Sequence, residues 1–320
     1  MRKEAMENNE RANIPYLSYY HGSHFETLGF FNSDRFVRVT PDYRVSSDNT
    51  KSTLSIIKEG SEVGGYGLEL EVCCNTIKAE GRKTVLANIM SMIFKQLFPN
   101  DLFRMEEDCT VHAECVTQVM SKSFIRNNYK NFKTMWNEYF PSFGITTENG
   151  QCGMHVNISL SLFGKDREEQ IKNVRKLGYT INSNYNFFKV AFNRTGETTW
   201  CPKMNSTLEY WRDTDIYDFP TSHSECCINM AHVSQGRVEI RLVGGQKNFA
   251  CFRNTMETIF FLVDRVKKLN WKDCNNLEKV FTGCNSYVFD RIKDNCFRND
   301  VVSIETIEKI RPTVKEVIYL

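Results

Sequence analysis

Apolar and polar residues alternate in "YGLELEV", residues 66–72. Leu68, Leu70 and Val72 fall on one side of an extended chain there, and Glu69 and Glu71 on the other. The same period of two runs through "TVHAECVTQ", "CGMHVNISL", "CCINMAHV" and "GRVEIRLV", each short enough to be a strand. The polar "SQG" between the last two is a hairpin signal. Between these segments the apolar spacing changes to three and four. Leu86, Ile89, Ile93 and Leu97 predict a helix ended by Pro99, and Ile125, Tyr129, Phe132, Trp136 and Tyr139 predict a second ended by Pro141. Ile171, Val174, Leu177, Ile181, Tyr185 and Phe188 predict a third, opened by Asp166, Glu168 and Glu169, acids that suit the positive end of a helix. Phe249, Phe252, Met256, Ile259, Val263 and Val266 predict the strongest helix, and Ile304, Ile307 and Ile310 a last one, bent or broken at Pro312. The chain therefore reads as α+β, an antiparallel sheet covered by helices on one face, with polar residues collecting on the other.

Those polar positions carry the candidate chemistry. "CGMHVNISL" sets His155, Asn157 and Ser159 on one face, and "GRVEIRLV" sets Arg237, Glu239 and Arg241 on one face. Glu114 shares a face with His112 and Val116 in "TVHAECVTQ". Taken singly, each strand is explained by a solvated outer face. Together they put Glu69, Glu71, Glu114, His155 and Glu239 on one sheet face with Arg241 and Asn157 beside them. Neighbouring ionised carboxylates repel, and a hard divalent cation relieves them, while the arginines call for an anion. Magnesium with polyphosphate meets both needs. No GxxxxGK[ST] loop and no GxGxxG fingerprint occurs, so phosphate would have to be held by the sheet face itself.

Composition narrows the setting. With 320 residues, 41% hydrophobic and 25% charged, the chain is long enough for a sizeable core. Its net charge of +2, from 41 basic and 39 acidic residues without long blocks, gives no reason to expect nucleic acid or an acidic membrane as partner. No apolar run has transmembrane length, and the start "MRKEAMENNERANIP" lacks the apolar centre of a secretion signal, so a cytoplasmic protein is expected. The 12 cysteines are scattered with no C-x-x-C pair and read as free thiols. Residues 1–62 differ from the rest, with the aromatic "IPYLSYYHGSHF" and the polar "RVSSDNTKS". They read as an N-terminal extension, partly strand, ahead of a main domain over 63–320.

The ordered series "GLELEV", "EEDCTVHAECVTQ", "CGMHVNIS", "FNR" and "INMAHVSQGRVEIRLVGG", followed by an apolar helix, resembles the amidoligases of the carboxylate-amine ligase type. These belong to the glutamine synthetase and glutamate-cysteine ligase superfamily. The resemblance spans about 64 to about 265. It implies a sheet curled as a half-funnel, with helices on its outer face, that binds ATP and divalent cations, magnesium or manganese. It also implies activation of a small-molecule or protein carboxylate as an acyl phosphate for attack by an amine. Carried over residue by residue, Glu69, Glu71, Glu114, His155 and Glu239 become metal ligands. Arg241, Glu239 and Asn157 become catalytic, and Arg194, Arg241, Asp108 and Thr110 nucleotide- or substrate-binding. The sequence departs from the family where Asp108-Cys109-Thr110 replaces Asp-Gly-Ser, where Asn157 replaces the second histidine of His-Val-His, and where "SECC" precedes "INM". Such families resemble proteins of phage and mobile elements, so a viral protein in a host cytoplasm fits. Two other readings stay open: a catalytically degenerate nucleotide- and metal-binding or virion-associated protein of the same fold, and a metal hydrolase using the acidic face.

Overall fold

The alternating segments pair into one sheet. In the computed structural model, which describes residues 64–74, 82–98, 102–106, 111, 113–148, 152–194, 201–219, 226–297 and 299–317, β1 (Tyr66–Cys74) lies at its centre. The strand order is β2 (Phe103–Glu106), β3 (Ala113–Thr117), β1, β5 (Met154–Ser159), β7 (Arg237–Ile240) and β6 (Ile228–Asn229), and the short β4 (Ile145–Thr146) pairs the far end of β1. The paired strands run antiparallel and the sheet does not close on itself. The architecture is thus α+β with an open antiparallel sheet and a majority of helix. The N-terminal extension expected over residues 1–62, together with Asp108 and Thr110, lies outside the described residues.

Register sorts the side chains by face. Leu68 and Leu70 stand opposite Val156 and Met154, Leu70 and Val72 opposite Cys115 and Ala113, and Val156 and Ile158 opposite Ile240 and Val238. All of these are buried. Each large apolar side chain withdrawn from water contributes about 1.5–3 kcal/mol, so this face anchors the core. The helices are α1 (Arg82–Leu97), α2 (Lys122–Asn127), α3 (Tyr129–Thr134), α4 (Phe140–Phe143), α5 (Arg167–Ser183), α6 (Tyr185–Ala191), α7 (Leu208–Asp213), α8 (Phe249–Val266), α9 (Leu277–Phe281), α10 (Ser286–Arg291) and α11 (Ile304–Ile310). Helix α8 meets the apolar face through Phe260, whose ring stands edge-on to Tyr66 at 4.7 Å between centroids. Asn248 caps it by accepting a hydrogen bond from the Cys251 amide, and Asp166 caps α5 in the same way through Glu169.

Two helix ends differ from the sequence expectation. Pro141 does not stop the second helix: α3 passes into a π-helical turn, Met135–Tyr139, and then into α4, which holds the proline in its first turn. Gly144, left-handed at φ 66°, ends it instead. The long third helix divides at Asn184, whose side-chain amide donates to the carbonyls of Thr180 and Cys274 rather than letting the helix run on. At the C-terminus a 3-10 turn, Arg311–Thr313, follows α11 at Pro312 as expected. No helix among the described residues is long and apolar enough to cross a membrane.

Candidate metal and anion site

The opposite face of the sheet is charged yet not solvated. Glu71, His155, Asn157, Arg237 and Glu239 are all buried, and Glu69 and Glu114 are partly so. A merely wet outer face is therefore excluded, and every charge here needs a partner. Strand pairing supplies the proximity: Glu69 stands opposite His155, Glu71 opposite Glu114, and Asn157 opposite Glu239.

His155 is the hub. Its Nδ1 lies 3.2 Å from Glu69 Oε2 and 3.4 Å from Glu239 Oε1, and its Nε2 lies 3.9 Å from Glu71 Oε1. Burial pulls the imidazole toward neutrality, but the Glu69 hydrogen bond and the charges of Glu239 and Glu71 outweigh burial and Arg241, pushing its pKa up to about 9. Burial likewise raises the Glu69 carboxyl. The hydrogen bond and charge of His155, the Asn157 amide and Arg237 reverse this and hold it well below the usual carboxylate range. Asn157 Nδ2 donates to Glu69 Oε1 at 2.8 Å, while its Oδ1 accepts from Arg237 Nη1. Glu239 accepts from Asn229 Nδ2 at 2.9 Å and from Arg241 Nη1 at 2.8 Å. Glu71 accepts from the Gly153 amide.

Not all the predicted ligands are equally available. One ligand atom each from Glu69, Glu114 and His155 can be chosen so that all lie within 4.8 Å of one another. The two carboxylates suit magnesium or manganese, whereas an imidazole is more typical of zinc or iron, so the set fits a divalent cation without selecting one. Glu71 and Glu239 belong to the same cluster but lie outside that triad, held by Gly153, Asn229 and Arg241 as Glu69 is held by Asn157 and His155.

The anion side is defined by arginines. Arg194 follows α6 and is buried close to Glu71 and His155: a Cβ on Gly153 would sit 2.9 Å from its Nη1, 3.2 Å from Glu71 Oε2 and 3.4 Å from His155 Nε2, so the three groups converge on this glycine. Arg194 Nε and Nη1 and Arg241 Nε are buried with no hydrogen-bond acceptor among the described residues. A buried donor left unsatisfied costs about 1–3 kcal/mol, more when charged, and a bound phosphate or carboxylate would supply the missing acceptors.

Sequence reasoning placed Arg237 on the charged face without giving it a role, and it did not single out Asn229 or the Gly153 amide. The first two were accessible from strand pairing, since Arg237 precedes Glu239 by two and Asn229 is its partner across the "SQG" turn. The Gly153 amide had no signal in the sequence. No disulfide joins the described cysteines, and Cys73 and Cys152 form a small buried cluster with Val111. Comparison with protein-family models and with curated proteins finds no match for this chain.

Proposed function

We propose that this chain is an ATP-dependent carboxylate-amine ligase that forms an amide or isopeptide bond. The observation that carries the reading is the meeting, on one buried sheet face, of the donor set Glu69, Glu114 and His155 with arginine donors of Arg194 and Arg241 that have no acceptor among the described residues. The ordered motifs that resemble the amidoligases point the same way. The accompanying fold expectation is a sheet curled as a half-funnel in the manner of glutamine synthetase, and an open antiparallel sheet with a buried charged face is compatible with it.

In this mechanism a divalent cation, magnesium or manganese, would neutralise phosphate oxygens during transfer. Glu69, Glu114 and His155 would hold it, with Glu71 and Glu239 nearby. Asn157 keeps the Glu69 carboxylate oriented through its 2.8 Å hydrogen bond. Glu239 fixes the Arg241 guanidinium, leaving its Nε, with Arg194, to bind the oxygens of the transferred phosphoryl group. The substrate carboxylate takes the terminal phosphoryl of ATP to give an acyl phosphate and ADP. The amine then attacks the acyl carbon, loses a proton and expels inorganic phosphate.

A second reading has its own support. Both functional ends of the Asn157 amide are spent on Glu69 and Arg237, so this position orients neighbours and does not transfer protons, as expected of a protein that binds nucleotide and metal without turnover. Purified protein incubated with ATP, magnesium and pools of carboxylates and amines decides between them. The ligase releases ADP and phosphate only with both co-substrates, and Glu69→Ala and Arg241→Ala lower the rate by about 100-fold or more. ATP and metal binding by calorimetry without product release selects the second reading, and absence of both binding and turnover overturns the assignment.

A further inference from the structure

A cavity of about 570 Å³ lies between the π-helical turn and the start of α8, and it shares no lining residue with the acidic cluster. Its volume is that of a small-molecule site. Its charged lining residues are all cations: Lys133, Lys247 and Arg253. None of them makes an ion pair among the described residues. Arg253 is held in place by the Tyr287 ring, 3.9 Å from its guanidinium carbon, and by the Asn254 side chain. Glu148 lines only a smaller adjoining recess of about 70 Å³ with Lys247.

Cationic side chains around one cavity repel one another, and with no carboxylate among the described lining residues they make the field inside positive. The positive end of the 18-residue helix α8 adds to that field. Two of its first amides are already used, since Phe249 N–H donates to Asn137 Oδ1 and Cys251 N–H to Asn248 Oδ1. The long side chains, not the helix end, are therefore the available donors. Trp136 and Phe249 form the apolar wall between them.

We infer that this cavity binds a small molecule carrying an oligophosphate group, with Lys133, Lys247 and Arg253 as its phosphate contacts. Three cations on different parts of the wall match a chain of phosphates better than a single monoanion, because each can engage separate oxygens. The inference is independent of the ligase reading.

The test is calorimetric titration of the full chain with inorganic tripolyphosphate in a chelating buffer, with Trp136 fluorescence read in parallel. Wild-type protein is expected to bind with a fluorescence change, and Lys133→Ala and Lys247→Ala each to weaken binding about tenfold. Both lysines are exposed, so the variants are expected to melt as wild type does, and Lys247→Arg retains most of the affinity. Arg194→Ala, which removes a donor of the other site, leaves this affinity unchanged. No binding, binding insensitive to both lysines, or binding lost in Arg194→Ala overturns the proposal; the last result leaves the anion site of the sheet face intact.

Discussion

At the residue scale, the chemistry turns on how His155 is held. An imidazole flanked by Glu69, Glu239 and Glu71 keeps its proton well into the alkaline range, so without metal it serves as the internal counter-ion of the carboxylates. This has a pH consequence. The folded-state pKa of His155 is raised from 6.5 to about 9, so its contribution to stability is complete below 6.5 and is lost as pH rises through about 9. Glu69 is depressed from 4.5, so its contribution is complete above 4.5 and is lost as pH falls toward about 2. In chelator, this pair therefore stabilises most between 4.5 and 6.5. Thermal melts should show Tm falling on the alkaline side, and His155→Asn should flatten that decline; an alkaline limb identical in both proteins would contradict the assignment. The same cluster makes a metal prediction. Glu69→Gln keeps the shape and removes the charge of a proposed ligand, and manganese affinity by calorimetry should drop at least the roughly 10- to 100-fold that losing even a supporting partner costs.

At the scale of elements, legibility followed periodicity. The strand segments were readable because alternation in a half-apolar segment admits one face assignment, and register then carried Glu69, Glu71, Glu114, His155 and Glu239 to one face. Helix α8 was readable because its apolar stripe is long. The passage of α3 through a π-turn into α4 was not, because a proline is compatible with a helix start as well as a helix stop, and only Gly144 decides between them. The Gly153 amide and the reach of Arg194 were hidden for another reason: both depend on loop geometry between elements far apart in the chain. The packing of α5 on α7 was hidden in the same way and yields a prediction. A Cβ on Gly178 would meet the Trp211 ring at 2.1 Å, and Trp211 is fully buried. Gly178→Ala should gain slightly in helix propensity but lose about 1–3 kcal/mol to overpacking, seen as a lower denaturant midpoint at unchanged m-value.

At the scale of the whole molecule, α8 ties the sheet to the flanking helices. Phe260 packs on Tyr66 of β1, and Phe252 stacks on Trp136 at 4.4 Å between ring centroids. Glu257, fully buried on the same helix, accepts from Arg126 Nε at 2.9 Å and Nη2 at 2.7 Å, from the Tyr129 hydroxyl at 2.7 Å, and from Asn285 Nδ2, which precedes α10, at 3.0 Å. One carboxylate thus joins α2, α3 and the cap of α10. A buried ion pair adds little over an apolar replacement, yet removing one partner strands the other, at a cost of about 3 kcal/mol or more. Glu257→Gln keeps the volume and one acceptor but removes the charge that faces Arg126. For 320 residues, at about 2.1 cal/mol/K of unfolding entropy per residue, a loss of about 3 kcal/mol corresponds to a Tm lower by roughly 4–5 °C. Arg126→Met combined with Glu257→Leu should recover part of it, because the stranded charge is gone while Tyr129 and Asn285 still lose an acceptor. Since no contact of Glu257 reaches Glu69, Glu114 or His155, manganese affinity measured below the melting range should stay within about twofold of wild type. A variant that melted normally but lost the metal would show instead that α8 shapes the charged face directly, with the sheet transmitting a change from its apolar side to its polar one.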